Sequence, residues 1–154
     1  MKAIHSFIAF ALLSQVSCSS EDVAFKPLED DPSITTLNGT WKAISFEDYV
    51  SGTVETKTQE NSWGEDIVLT FDDTTSPGAV RGKITTNAIE ATFQYKGARQ
   101  IHFEDYFTTY VGQPKWADYF KEVILDEQVA FEINNVYLRI FSSDKSKSVT
   151  MLRQ

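Results

Sequence analysis

The chain has little of what metal, redox and nucleic-acid chemistry need. It holds one cysteine, Cys18, and two histidines, His5 and His102, among 154 residues. A single thiol excludes an internal disulfide and any thiolate-rich zinc or iron–sulfur site. Cations are also short: 14 Lys and Arg stand against 22 Asp and Glu, for a net charge of −8. Phosphate binding draws on clustered cations that release counterions, so nucleic acid is not an expected partner. Long apolar runs are missing as well. The longest, Phe7 to Leu13, has seven residues, whereas about 20 are needed to span a bilayer. No repeat or low-complexity tract is visible. What remains is 42% hydrophobic, with three Trp, six Tyr and eleven Phe, which is enough for the core of one domain.

Residues 1–17 read as an address. Lys2 supplies a positive start, the apolar run follows, and Ser14 to Ser17 close it, the pattern of a cleavable signal peptide. Cys18 comes next, followed by Ser19, Ser20, Glu21 and Asp22. This arrangement resembles a bacterial lipoprotein signal, in which the cysteine becomes the lipidated first residue of the mature chain. The acidic pair after it is similar to the surface-export signals of lipoproteins in the Bacteroidota. The resemblance implies lipid attachment at Cys18, the membrane as partner through that lipid, and a place in the cell envelope as a surface-exposed outer-membrane lipoprotein. Several acyl chains, at ~0.8 kcal/mol per buried methylene, anchor a protein stably where one does not. Residues 18–36, with Pro27, Pro32 and five acidic residues, read as the lipidated cysteine and a flexible tether.

Residues 37–154 form the body, and their apolar pattern has period two. Ile67, Leu69 and Phe71 alternate with Val68 and Thr70; Ile89, Ala91, Phe93 and Tyr95 alternate with Glu90, Thr92 and Gln94. Asp72 to Gly78 and Lys96-Gly97 break the runs as turns, Asn134-Asn135 favours a tight hairpin, and Gly82 marks a bulge or a close approach. One stretch changes period. Pro114 suits a first helical position, and Trp116, Phe120, Val123 and Ile124 share one helical face opposite Lys115, Asp118, Lys121 and Glu122. The expectation is a mostly β fold: a small antiparallel barrel or curved sandwich of about eight strands, with one α-helix before the last three, because closure removes exposed edges.

The segment Leu37-Asn38-Gly39-Thr40-Trp41-Lys42-Ala43-Ile44 resembles the first strand of lipocalin-like proteins, with the signature Gly39-x-Trp41. The later order is similar to the META domain (HslJ-like) of bacterial envelope lipoproteins: Ile67 to Phe71, Gly82 to Asn87, Thr108-Thr109, the helix from Trp116 to Leu125, Val136 to Ile140, and a last strand ending Met151-Leu152-Arg153. Asn87 falls where that family often has a Cys-Asn pair. The resemblance implies a META- or lipocalin-like barrel in which Trp41 packs at the closed end, with Arg153 placed to stack over it. It brings no catalytic residue and no cofactor.

Seven aromatics crowd the 19 residues from His102 to Phe120. Tyr106, Tyr110 and Trp116 are the candidate lining of a pocket for a small hydrophobic or sugar ligand. The bland account is that these rings fill the barrel. His102 lacks a nucleophile motif or further ligands, so neither catalysis nor a metal site is expected. Adjacent carboxylates, such as Glu47-Asp48, Glu65-Asp66 and Asp72-Asp73, point to opposite faces on a strand and read as solvated turns and strand ends. The function expected is noncovalent binding of a small apolar or amphipathic ligand. A ligand-free accessory of the envelope that works through a protein partner is the alternative, and a hydrolase stands last.

Overall fold

Side chains alternate between buried and exposed along most of the body, and the ladders built on that alternation close on themselves. The computed structural model describes residues 28–109, 111–124 and 128–154; Cys18, Tyr110 and the expected signal peptide lie outside them. In order the elements are β1 (Gly39–Asp48), β2 (Thr53–Thr56), α1 (Gln59–Ser62), β3 (Ile67–Asp72), β4 (Gly78–Ile84), β5 (Asn87–Gly97), β6 (Gln100–Thr108), α2 (Lys115–Ile124), β7 (Gln128–Ile133), β8 (Tyr137–Phe141) and β9 (Lys147–Arg153). Strands β1-β3-β4-β5-β6-β7-β8-β9 pair antiparallel in that order, and β9 pairs back onto β1. The result is a closed eight-stranded barrel with α2 before its last three strands, as expected.

Strand β2 is a ninth strand outside the ring. One edge of β1 pairs with β9 from Trp41 to Asp48. The other edge serves β3 as far as Lys42 and β2 from Ser45 onward. Neither β2 nor the one-turn helix α1 was expected. Helix α1 starts at a capping box: Asn61 N–H donates to Thr58 Oγ1 (3.1 Å), and Thr58 N–H donates to Asn61 Oδ1 (2.8 Å). Lysines pin this excursion to the barrel, with Lys42 2.8 Å from Asp66 and Lys57 bound to the same carboxylate. Gly82 is a close approach, not a bulge. It keeps regular register with Leu69 and Ile89, and a Cβ there would lie 2.0 Å from the Val68 carbonyl oxygen.

Inward side chains from all eight walls meet on the barrel axis. Trp41, Phe71, Phe93, Phe131, Trp116 and Phe120 are its largest members, none more than 1% exposed. The lower end, where β1 begins, is closed by the segment leading into it. Arg99 donates to Asp30 Oδ2 (2.9 Å), the Asp31 carbonyl (2.7 Å) and the Ile34 carbonyl (2.8 Å), while its guanidinium lies 5.5 Å from the Phe131 ring centre. Asp30 Oδ1 accepts from Ile133 N–H at 2.8 Å, and Asp31 N–H donates to the Ile133 carbonyl at 2.8 Å. Residues 30–36, assigned to the tether by composition, therefore include a stretch fastened to the body, because one arginine satisfies their carbonyls and carboxylate together.

At the same end the Gly-x-Trp signature acquires its reason. Trp41 is fully buried, and its Nε1 donates to the Leu37 carbonyl at 2.8 Å. The Arg153 guanidinium lies 4.2 Å from the Trp41 ring centre. Gly39 has φ +132°, and a Cβ on it would come within 2.9 Å of Arg153 Nη1. A side chain at position 39 would be strained and would also displace the arginine from the indole.

Candidate functional site

The upper end, where β1 finishes, is built differently. Buried Asn87 holds the segment that leads into α2. Its Nδ2 donates to the Val111 carbonyl (3.1 Å) and Gln113 Oε1 (3.2 Å), and its Oδ1 accepts from Val111 N–H (2.8 Å) and the Thr109 hydroxyl (3.1 Å). All the polar capacity of that side chain goes into positioning the approach to α2. The helix then lays Trp116, Ala117, Phe120, Val123 and Ile124 into the barrel. This is the face that its apolar spacing predicts.

A bulge sets what faces α2 from β6. The pairing of β5 with β6 slips between Glu90 and Thr92, so Ala91 meets two residues, and Asp105 takes φ +50°. The extra residue reverses the alternation. Phe107, which simple alternation from Ile101 and Phe103 would turn inward, is 63% exposed. Tyr106 turns inward in its place and packs against the core.

Tyr106 and Trp116 share a property. The Tyr106 hydroxyl and Trp116 Nε1 are both buried without a hydrogen-bond partner among the described residues. Burial alone pushes the Tyr106 phenol above its ordinary pKa. Trp116 is fully buried, edge-on to Phe46 with ring centres 4.5 Å apart at 79°. A buried polar group left unpaired costs about 1–3 kcal/mol, so each such group calls for an explanation, commonly a bound water or ligand. Tyr110, the third candidate, falls between described residues.

Outside Phe46 a cleft of about 80 Å³ opens between the end of β1, β2, the start of β9 and α2. Phe46 and Tyr119 line it with ring centres 5.7 Å apart. Asp48, Glu55 and the Lys147–Glu122 ion pair surround them. The Lys115 ammonium lies 5.0 Å from the Tyr119 ring centre. Tyr119 first, and then Glu55 and Glu122, raise the pKa of that ammonium.

The other sequence candidates do not join this site. His102 sits on the outer wall with Nε2 3.7 Å from Glu104. Among the described residues no group of three or more His, Cys, Asp or Glu is placed to hold a metal ion. No described helix is long and apolar enough to cross a membrane. Glu47 departs from the expectation of a solvated carboxylate, being 5% exposed. It accepts from the Tyr49 hydroxyl (2.8 Å), Ser148 Oγ (3.1 Å) and Thr150 Oγ1 (3.3 Å), and lies 3.6 Å from Arg139, itself 3.8 Å from Glu132. Burial is the main cause that raises the Tyr49 phenol's pKa. The local signal was an arginine inside the apolar strand Tyr137-Leu138-Arg139-Ile140-Phe141, which implies a buried counter-charge without naming it.

Fold and site together define the class: a closed eight-stranded antiparallel β-barrel covered at one end by a helix. Two solved structures resemble it. An NMR structure of a protein from Burkholderia xenovorans superposes with TM-score 0.62 at 16% identity, covering 88% of this chain and 96% of that one. The crystal structure of a DUF4847 family protein from Bacteroides vulgatus ATCC 8482 superposes with TM-score 0.54 at 16% identity, covering 76% and 93%. At that identity the likeness is one of fold. No family model matches the chain, and no curated protein matches it.

Proposed function

We infer that this is an exported envelope lipoprotein, anchored through Cys18, that acts by noncovalent binding and takes a small amphipathic ligand at the helix-covered end of its barrel. The observation that carries this reading is the pair of buried polar groups without a partner among the described residues, the Tyr106 hydroxyl and Trp116 Nε1. Both belong to the upper end, among otherwise apolar walls. A ligand with an apolar body and a hydrogen-bond acceptor offsets a cost that the free protein bears. The Bacteroides neighbour suits an origin in the Bacteroidota, and the strand order suits a META-like domain.

Native mass spectrometry of the exported chain, carrying Cys18→Ala to keep it in solution, tests the ligand. A reproducible excess mass released on denaturation, and absent from a Tyr106→Phe/Trp116→Phe double variant, is the expected result. A bare monomer mass after gentle purification overturns it. That outcome favours a second reading, a ligand-free accessory protein of the envelope, which the density of the core supports: every barrel strand and α2 contribute apolar side chains that are at most 8% exposed. Membrane fractionation of Cys18→Ala tests the anchor independently, since retention in the membrane fraction would exclude lipidation.

A further inference from the structure

We propose that the cleft between β1, β2, β9 and α2 is a site for an alkylammonium group, with Glu55 as the counter-charge and Phe46 and Tyr119 as the aromatic walls. The proposal deepens the ligand reading above and rests on it, by naming the charged end of the molecule bound there.

Glu55 is the residue out of place. It lies directly across from Phe46 in the β1–β2 ladder, and residues directly opposite share a face of the sheet. Phe46 is 5% exposed and belongs to the core. The carboxylate of Glu55 is thus on the inward face, half-buried at the barrel mouth, and it lines the cleft. It has no hydrogen bond or ion pair among the described residues. Its neighbours are otherwise engaged: Glu122 is paired with Lys147, Glu47 is held by three hydroxyls, and Asp48 accepts from the backbone N–H groups of Val50 and Ser51 at 3.0 and 2.9 Å. Apart from its electrostatic pull on the exposed Lys115, the Glu55 carboxylate has no partner among the described residues.

The aromatic walls supply the rest. A cation within about 6 Å of a ring centre, a ligand ammonium included, is attracted by the negative face of the π-system. The protein already carries out this recognition with its own side chain, since Lys115 lies 5.0 Å from the Tyr119 ring centre. Lys115 is exposed and sits on the first turn of α2, so it can withdraw without disturbing the core. It is an internal stand-in for the ligand's ammonium. A cleft of about 80 Å³ has room for the head and first carbons of an alkyl chain. The chain's apolar part then meets Phe46, whose ring leads on to Trp116.

The test is a ¹H–¹⁵N NMR titration of the exported Cys18→Ala chain at pH 7 with butylammonium, 1-butanol as the uncharged analogue, and N-acetyl-lysine amide. Butylammonium should shift the amides of residues 46–48, 53–55 and 119–123, with 1-butanol at least ten-fold weaker. Glu55→Gln should weaken butylammonium at least ten-fold, and Lys115→Ala should tighten it several-fold by removing the competitor. Tighter binding of the lysine amide assigns the ammonium to a protein side chain, and tighter butylammonium binding to a free amine. Equal shifts from 1-butanol, or a Glu55→Gln chain that binds butylammonium unchanged, overturn the cation site while leaving the ligand reading intact. No shifts from any probe also overturn it, and the released mass described above then decides the ligand reading separately. A Glu55→Gln chain that keeps binding but self-associates would make Glu55 a guard of the β2 edge instead.

Discussion

Two tryptophans and two tyrosines mark the opposite ends of this barrel, and the ends treat them in opposite ways. At the lower end Trp41 gives its N–H to the Leu37 carbonyl at 2.8 Å and its ring face to Arg153. Tyr95 accepts from Leu37 N–H and donates to Asp73 Oδ2, both at 2.8 Å. At the upper end Trp116 is as deeply buried as Trp41, and the hydroxyl of Tyr106 is also buried, yet neither polar atom has a partner among the described residues. The same residue types are thus complete in one place and incomplete in the other. Completed polar groups in a core serve stability and uniqueness, whereas each incomplete one carries a cost that calls for a separate explanation.

That contrast is sharpest at the indoles. Trp41→Ala should cost about 3–5 kcal/mol in chemical denaturation, because it leaves a large cavity and strips Arg153 of its platform. A loss well below that range would remove Trp41 from the structural role argued for it. Conservative changes separate the ends at a finer scale. Trp41→Phe and Tyr95→Phe should each cost about 1–3 kcal/mol, since each leaves a partner unpaired. In protein stripped of any bound molecule, Trp116→Phe and Tyr106→Phe should leave stability unchanged or raise it, because each removes an unpaired group. Equal losses at both ends would erase the distinction.

Alkali offers the smallest effect. Burial first, and then the bond to Asp73, raise the Tyr95 phenol's pKa, and burial raises that of Tyr106. Both folded pKa values lie above the unfolded value of about 10, so their stabilisation is complete below pH 10 and is lost as pH rises through the folded values. In stability measured from pH 8 upward, Tyr95→Phe and Tyr106→Phe should each flatten the alkaline decline. An unchanged slope in both would show that these phenols ionise as readily folded as unfolded.

Local pattern carried much of this fold and less of its site. Alternation along Ile67–Phe71 and Ile89–Tyr95 was legible because the barrel buries one face of each strand. The face of α2 was legible for the same reason at a different period. Strand β2 escaped because its four residues, Thr-Val-Glu-Thr, lack apolar alternation and turn a glutamate inward. Helix α1 escaped because its capping box closes with Asn61 in place of the usual Glu or Gln. Tyr106 and Trp116 could be named from aromatic density alone. That their polar atoms lack partners could not, since it depends on the bulge at Asp105 and on walls drawn from distant strands. The Glu47–Arg139 contact joins residues far apart in sequence, and adjacency to Asp48 gave no hint of it.

The clasp at the lower end also decides how the molecule bears a load. A pull on the chain ahead of Asp30 meets Arg99, Ile133 and their few bonds to residues 30–34 before it reaches β1. Strand β1 is laddered on both edges, to β9 and to β3 and β2, so it resists as a block in shear. Tension on the chain ahead of Asp30 is therefore expected to free residues 30–34 before it loads the ladders of β1, leaving the barrel closed.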